Sequence, residues 1–190
     1  MIMSSPTYTL AVAENGEQWC DWVRHWATDI DAAVSSMMAT FEADYGYPAG
    51  VNEVRWATAG DRVDAERYRS DPLASGPMAD FYTVVAEVSL PDVGNGIFIH
   101  SAASALALRD EIGYVFLPRA DDPHGLLIGS TGGGIQFVMD WAGCVHRSIS
   151  ASLDGDFEQV ACTTEQFLTQ LRYAVSEFVT DNRIVVLDNS

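Results

Sequence analysis

The sequence predicts an α+β fold with a mixed, largely antiparallel sheet flanked by helices, and three observations predict it. A helical pattern fills the first third, a succession of short strand candidates follows, and a second amphipathic helix closes the chain. At 190 residues, with 48% hydrophobic and 19% charged residues, one domain over 1–190 with a sizeable core is expected, and roughly 70% of the unfolded surface should be buried on folding.

The first element carries the strongest periodic signal. Trp19, Trp22, Val23, Trp26, Ile30, Ala33, Val34, Met37 and Phe41 recur at steps of three and four between Gly16 and Gly46, the spacing of one helix face. Uninterrupted, that helix would run roughly 45 Å. A break is therefore expected at Thr28, Asp29 and Asp31, residue types that favour N-caps over helix interiors. The tryptophans are expected to pack on the main body or on a second copy of the chain, a homodimer. Tyr47–Gly50 stops this region, a short helix is expected over Val51 to Ala59, and Asp61 to Ser70 reads as a solvated helix or loop. Asp71–Pro77, with two prolines and a glycine, is the most linker-like stretch.

Strand candidates come next: Tyr82 to Val88, Ile97 to His100, Gly113 to Leu117, Leu126 to Gly129, Ile135 to Asp140 and Cys144 to Ser148. The last three form the clearest unit, joined by the glycine run at 132–134 and by a tight turn at Ala142-Gly143, where glycine permits positive φ. A phosphate cradle is the functional reading of the glycine run, but neither a lysine nor a helix follows it. Thr163 to Thr180 closes with a helix capped by Thr163 or Thr164, carrying Phe167, Leu168, Leu171, Val175, Phe178 and Val179 inward. Arg183 to Leu187 is expected to add a final strand.

Charge restricts the partners. The chain has 27 acidic and 10 basic residues, a net charge of −17. All ten basic residues are arginine. Such a surface repels phosphate backbones and anionic headgroups, so neither direct nucleic-acid binding nor membrane binding is expected, and a basic protein gains most from it. No apolar run approaches a membrane span, the first twelve residues do not resemble a secretion signal, and the three cysteines have no motif spacing. Reduced thiols and a cytoplasmic location are expected.

Catalytic constellations are incomplete. Cys144 and His146 are two apart, a spacing compatible with two ligands of one zinc, but no further ligand sits at a recognised spacing, so no metal, cofactor or catalytic residue is expected. His100 ends a strand and is expected to be hydrogen-bonded in place. The surface loops differ: Asp121, Asp122 and His124 lie between two apolar strands, and Asp110-Glu111 and Asp154, Asp156 mark other exposed corners. Loops of this kind present acids to a partner while a sheet holds them still.

Four stretches in order carry a resemblance: Phe81-Tyr82, Val88 to His100 with its Leu90-Pro91-Asp92 turn, Leu127 to Asp140, and Phe157 to Leu168. They resemble successive landmarks of the SUKH superfamily, over roughly 78–180, whereas the tryptophan-rich stretch within 1–77 has no counterpart there. The resemblance implies an α+β fold with a mixed sheet and no catalytic residues. It also implies a bacterial immunity protein that sequesters a cognate toxin, or else a scaffold akin to the yeast cell-wall-synthesis regulator that gives the superfamily its relatives. A small hydrolase or metalloenzyme is the third reading. In physical terms the landmarks shape a corner: Pro91 fixes φ, Asp92 can cap a turn, Asn95-Gly96 suits a reversal, and Ile97–Ile99 is expected to be buried on both faces.

Overall fold

The computed structural model describes residues 6–121 and 123–187. Its elements run α1 (Pro6–Met38), α2 (Phe41–Tyr45), β1 (Glu53–Trp56), α3 (Ala59–Arg69), α4 (Gly76–Val84), β2 (Val85–Leu90), β3 (Ile97–Ile99), α5 (Ala102–Ile112), β4 (Val115–Phe116), β5 (His124–Thr131), β6 (Gln136–Asp140), β7 (Val145–Ser148), β8 (Phe157–Ala161) and α6 (Thr164–Asp181). This is an α+β fold. The sheet order is β1-β2-β3-β5-β6-β7-β8, with β4 beside one end of β5, and every described pairing is antiparallel.

Alternation along the central strands divides the interior in two. Leu126, Ile128, Phe137 and Met139 face the main core, which also takes in residues from every helix. Leu127 and Val138 point the other way and meet Val115, Leu117 and Phe157 in a smaller cluster under β4 and the loops. The glycine run serves the backbone. A Cβ at Gly132 would lie 2.5 Å from the Asn95 carbonyl oxygen, so glycine there lets the β2–β3 and β5–β6 turns touch, and Gly134 holds φ +85° in the hairpin.

Helix α1 is unbroken through Thr28, Asp29 and Asp31, contrary to the expected break. Its apolar stripe explains why. Val23, Trp26, Ala27, Ile30, Val34 and Met37 are all buried, while the three polar residues lie on the exposed side. The Thr28 hydroxyl donates to the Arg24 carbonyl at 2.9 Å, and Asp29 pairs with Arg172 of α6 at 3.0 Å. Both polar groups are therefore satisfied without ending the helix, and the break falls instead at 39–40. The Trp26 indole donates to the Leu168 carbonyl at 2.6 Å, Trp19 to that of Pro77 at 2.9 Å, and Trp19 stacks on Trp22 with ring centres 5.0 Å apart.

Four further expectations are corrected. Within Val51 to Ala59 the chain forms β1 rather than a short helix, because Glu53–Trp56 finds β2 as a partner and buries Val54. Tyr82 to Val84 completes α4, which packs Phe81 and Tyr82 into the core before the chain extends. Ile97 and Phe98 are half-buried, so β3 is fully covered only at Ile99. Residues 183–187 pair with no described strand; they run beside α6, where Leu187 is buried. Asp92 is also used across the fold, its carboxylate accepting from the Gly50 amide at 2.7 Å and the Asn52 side chain at 2.6 Å.

Candidate functional site

The stretch that reads as a linker is in fact an anchor. The Asp71 side chain is fully buried and accepts from the Leu73 amide at 2.9 Å. It also receives the Arg109 guanidinium and the Tyr114 hydroxyl, the latter at 3.3 Å from each carboxylate oxygen. Hydrogen bonds to Asp110 and Asp71 raise the pKa of Arg109, while burial and the Asp71 charge raise that of Tyr114. One buried carboxylate thus pins the C-terminal end of α5 and the start of β4.

The predicted acids lie at the end of α5 and on two loops. Asp110 and Glu111 are exposed at the end of α5, Asp121 is exposed in the β4–β5 loop, and Asp154 and Asp156 are exposed in the β7–β8 loop. His124 opens β5, opposite Phe116 in the ladder, with ring centres 6.0 Å apart. Asp122 lies outside the described residues. Arg119 reaches Asp156 at 4.0 Å and links two of the loops. Of the predicted acids, Asp154 lines a groove formed by Ile112, Tyr114 and Phe116 together with Leu153 and Gly155. Phe116 is 58% exposed and Ile112 47%. The sequence reading found the acids and missed this apolar floor; the out-in-out pattern of Tyr114, Val115 and Phe116 was the available signal.

The chemical candidates do not assemble. The Cys144 thiol donates to the Cys162 carbonyl at 3.3 Å, whereas His146 bonds the Asp140 carboxylate at 3.1 Å in a buried pair, so the two side chains serve different partners. No group of three or more His, Cys, Asp or Glu side chains among the described residues is placed to hold a metal ion. None of the described helices is long and apolar enough to cross a membrane.

His100 sits at the end of β3 with Nε2 3.4 Å from the Ser130 hydroxyl and Nδ1 buried without a hydrogen-bond partner. Burial lowers its pKa, and Glu87 opposes the shift. A histidine with a lowered folded pKa binds fewer protons than its unfolded counterpart, so its effect on stability is nil above the unfolded value of about 6.5 and becomes a loss as pH falls below it. His100→Asn is therefore expected to flatten part of the decline in urea midpoint below about pH 6.5 relative to wild type; parallel pH profiles for the two proteins would overturn this.

No family model matches the chain, and no curated protein matches it.

Proposed function

We propose that this chain is a non-catalytic protein-binding module of the SUKH immunity type, a cytoplasmic protein that sequesters a basic toxin, plausibly a nuclease or another enzyme acting on nucleic acid. The observation that carries the reading is an exposed apolar groove that Asp154 lines, with Asp110 and Glu111 preceding its Ile112 in the last turn of α5 and Arg119 tying the Asp156 loop to the loop of Asp121. An apolar floor inside a charged rim is the arrangement by which protein interfaces combine anchoring with steering. The net charge of −17 favours a basic partner, and the buried Asp71 anchor makes the face rigid before binding, which lowers the ordering cost. The SUKH resemblance supplies the class of partner.

The test uses the enzymatic domain of a secreted protein encoded beside this chain's gene. Co-expression is expected to rescue growth, and the association rate is expected to fall at least about tenfold between about 50 and 500 mM salt, because screening shortens from roughly 14 to 4 Å. Asp121→Lys with Asp154→Lys should slow association further. Folding should change by no more than about 0.5 kcal/mol, since both positions are exposed loop residues. Rescue with an association rate indifferent to salt and to this reversal would move the binding face elsewhere. Absence of both rescue and binding would leave the scaffold reading as the better one.

A further inference from the structure

Strands β7 and β8 end their ladder at the pair Val145 and Ala161, and one residue beyond each strand stand Cys144 and Cys162. The backbones of these two cysteines are engaged elsewhere. The Cys144 amide donates to the Asp140 carboxylate at 3.0 Å, its carbonyl accepts from the Asp140 amide at 3.0 Å, and the Cys162 amide donates to the Gln166 side chain at 2.8 Å. The one link between them is the Cys144 thiol donating to the Cys162 carbonyl at 3.3 Å. They stand one position beyond the last ladder pair, with Cys162 in the bend that leads into α6 and its sulfur accepting from the Gln159 side chain at 3.0 Å. A disulfide needs Cα atoms about 4.4–6.8 Å apart, and the paired residues of an antiparallel ladder such as the one beside them lie about 4.5–5.5 Å apart.

Both flanks hold this register. Gly143, at φ +87°, fixes the turn before Cys144 and packs against Ser75 and Thr164, and the Thr163 cap of α6 fixes the chain after Cys162. Cys162 is exposed and Cys144 half-buried.

We infer that Cys144 and Cys162 form a modification site, a dithiol at the end of the β7–β8 ladder that a small disulfide oxidant such as glutathione disulfide converts to an intramolecular disulfide. The deprotonated Cys162 sulfur, the accessible one, attacks glutathione disulfide. The glutathione S–S bond breaks, one glutathione leaves, and Cys162 carries the other. Cys144, once deprotonated, attacks the Cys162 sulfur; the protein S–S bond forms, the mixed disulfide breaks and the second glutathione leaves. The dithiol loses two electrons and glutathione disulfide gains them, and the two thiol protons end on the two released glutathiones. Burial and the neighbouring Asp140 raise the pKa of the Cys144 thiol, in keeping with its acting second. The product ties the start of β7 to the cap of α6.

The full-length protein is incubated with glutathione disulfide, denatured with a thiol-blocking reagent present, and digested with trypsin. Arginines at 24, 119, 147 and 172 place each of the three cysteines on its own peptide. The expected result is loss of two of three thiols, a Cys144–Cys162 linked peptide pair, a monomeric product and full recovery of thiols with dithiothreitol. Cys20→Ser should behave as wild type, whereas Cys144→Ser should retain one glutathione on Cys162. Three surviving thiols, a stable glutathione adduct on Cys162 in wild type, or a disulfide-linked dimer would each overturn the inference.

Discussion

Trp26→Ala is expected to cost about 3–5 kcal/mol, the range for removing a large buried aromatic from a packed core. Trp26 is 1% exposed, meets Phe81 edge-on with ring centres 5.8 Å apart, and donates its indole N–H to the Leu168 carbonyl of α6. The substitution opens a cavity where α1, α4 and α6 meet and removes the hydrogen bond that the first third of the chain makes to the last helix. Urea unfolding followed by far-ultraviolet circular dichroism measures it, with the midpoint falling and the slope unchanged if only the native state is affected. Trp22→Ala, at a half-buried position on the same helix, should cost clearly less. Equal, small losses at both positions would mean that α1 is not docked on the core.

Arg109→Ala is expected to cost a comparable amount, about 3–5 kcal/mol, for a different reason. The Asp71 side chain has no exposure to water, and removing the guanidinium leaves a buried carboxylate with only an amide and a tyrosine hydroxyl for company. Breaking a buried pair from one side is costly because the remaining charge is uncompensated. Replacing both partners, Asp71→Leu with Arg109→Leu, should therefore recover much of the loss, and Tyr114→Phe should cost only about 1 kcal/mol as a single hydrogen bond. The double-mutant cycle from urea midpoints separates these terms. Additive single-site losses would show that the pair is not coupled. Because Arg109 and Tyr114 also hold the groove wall, Arg109→Ala should weaken partner binding even though the loss of a positive charge by itself favours a basic partner.

Local signals were enough for α6 and for the β5–β6–β7 meander. Thr163 caps its helix through the Gln166 amide, an apolar stripe follows at the correct period, and two short turns join three apolar strands whose partners are their immediate neighbours in sequence. The acids of the candidate face were equally legible as exposed corners. What sequence reasoning missed depends on distant partners. Thr28 and Asp29 carry an intrinsic helix penalty of only about half a kcal/mol each, which a stripe buried against α4 and α6 easily exceeds, so α1 runs on. Glu53–Trp56 is a strand only because β2 lies beside it.

The acidic groove is the clearest instance of the same division. Composition and turn chemistry in the sequence alone determine that Asp110, Glu111, Asp121, Asp154 and Asp156 lie in exposed corners, since solvation of each is a local matter. The groove that Asp154 lines with Ile112, Tyr114 and Phe116 depends on β4 pairing with one end of β5, on the β7–β8 loop folding back beside β4, and on Asp71 receiving Arg109 from 38 positions away. Only the tertiary structure decides those contacts, because the free energy that makes them, burial of a carboxylate with its cation and of apolar surface between loops, exists only once the chain has closed.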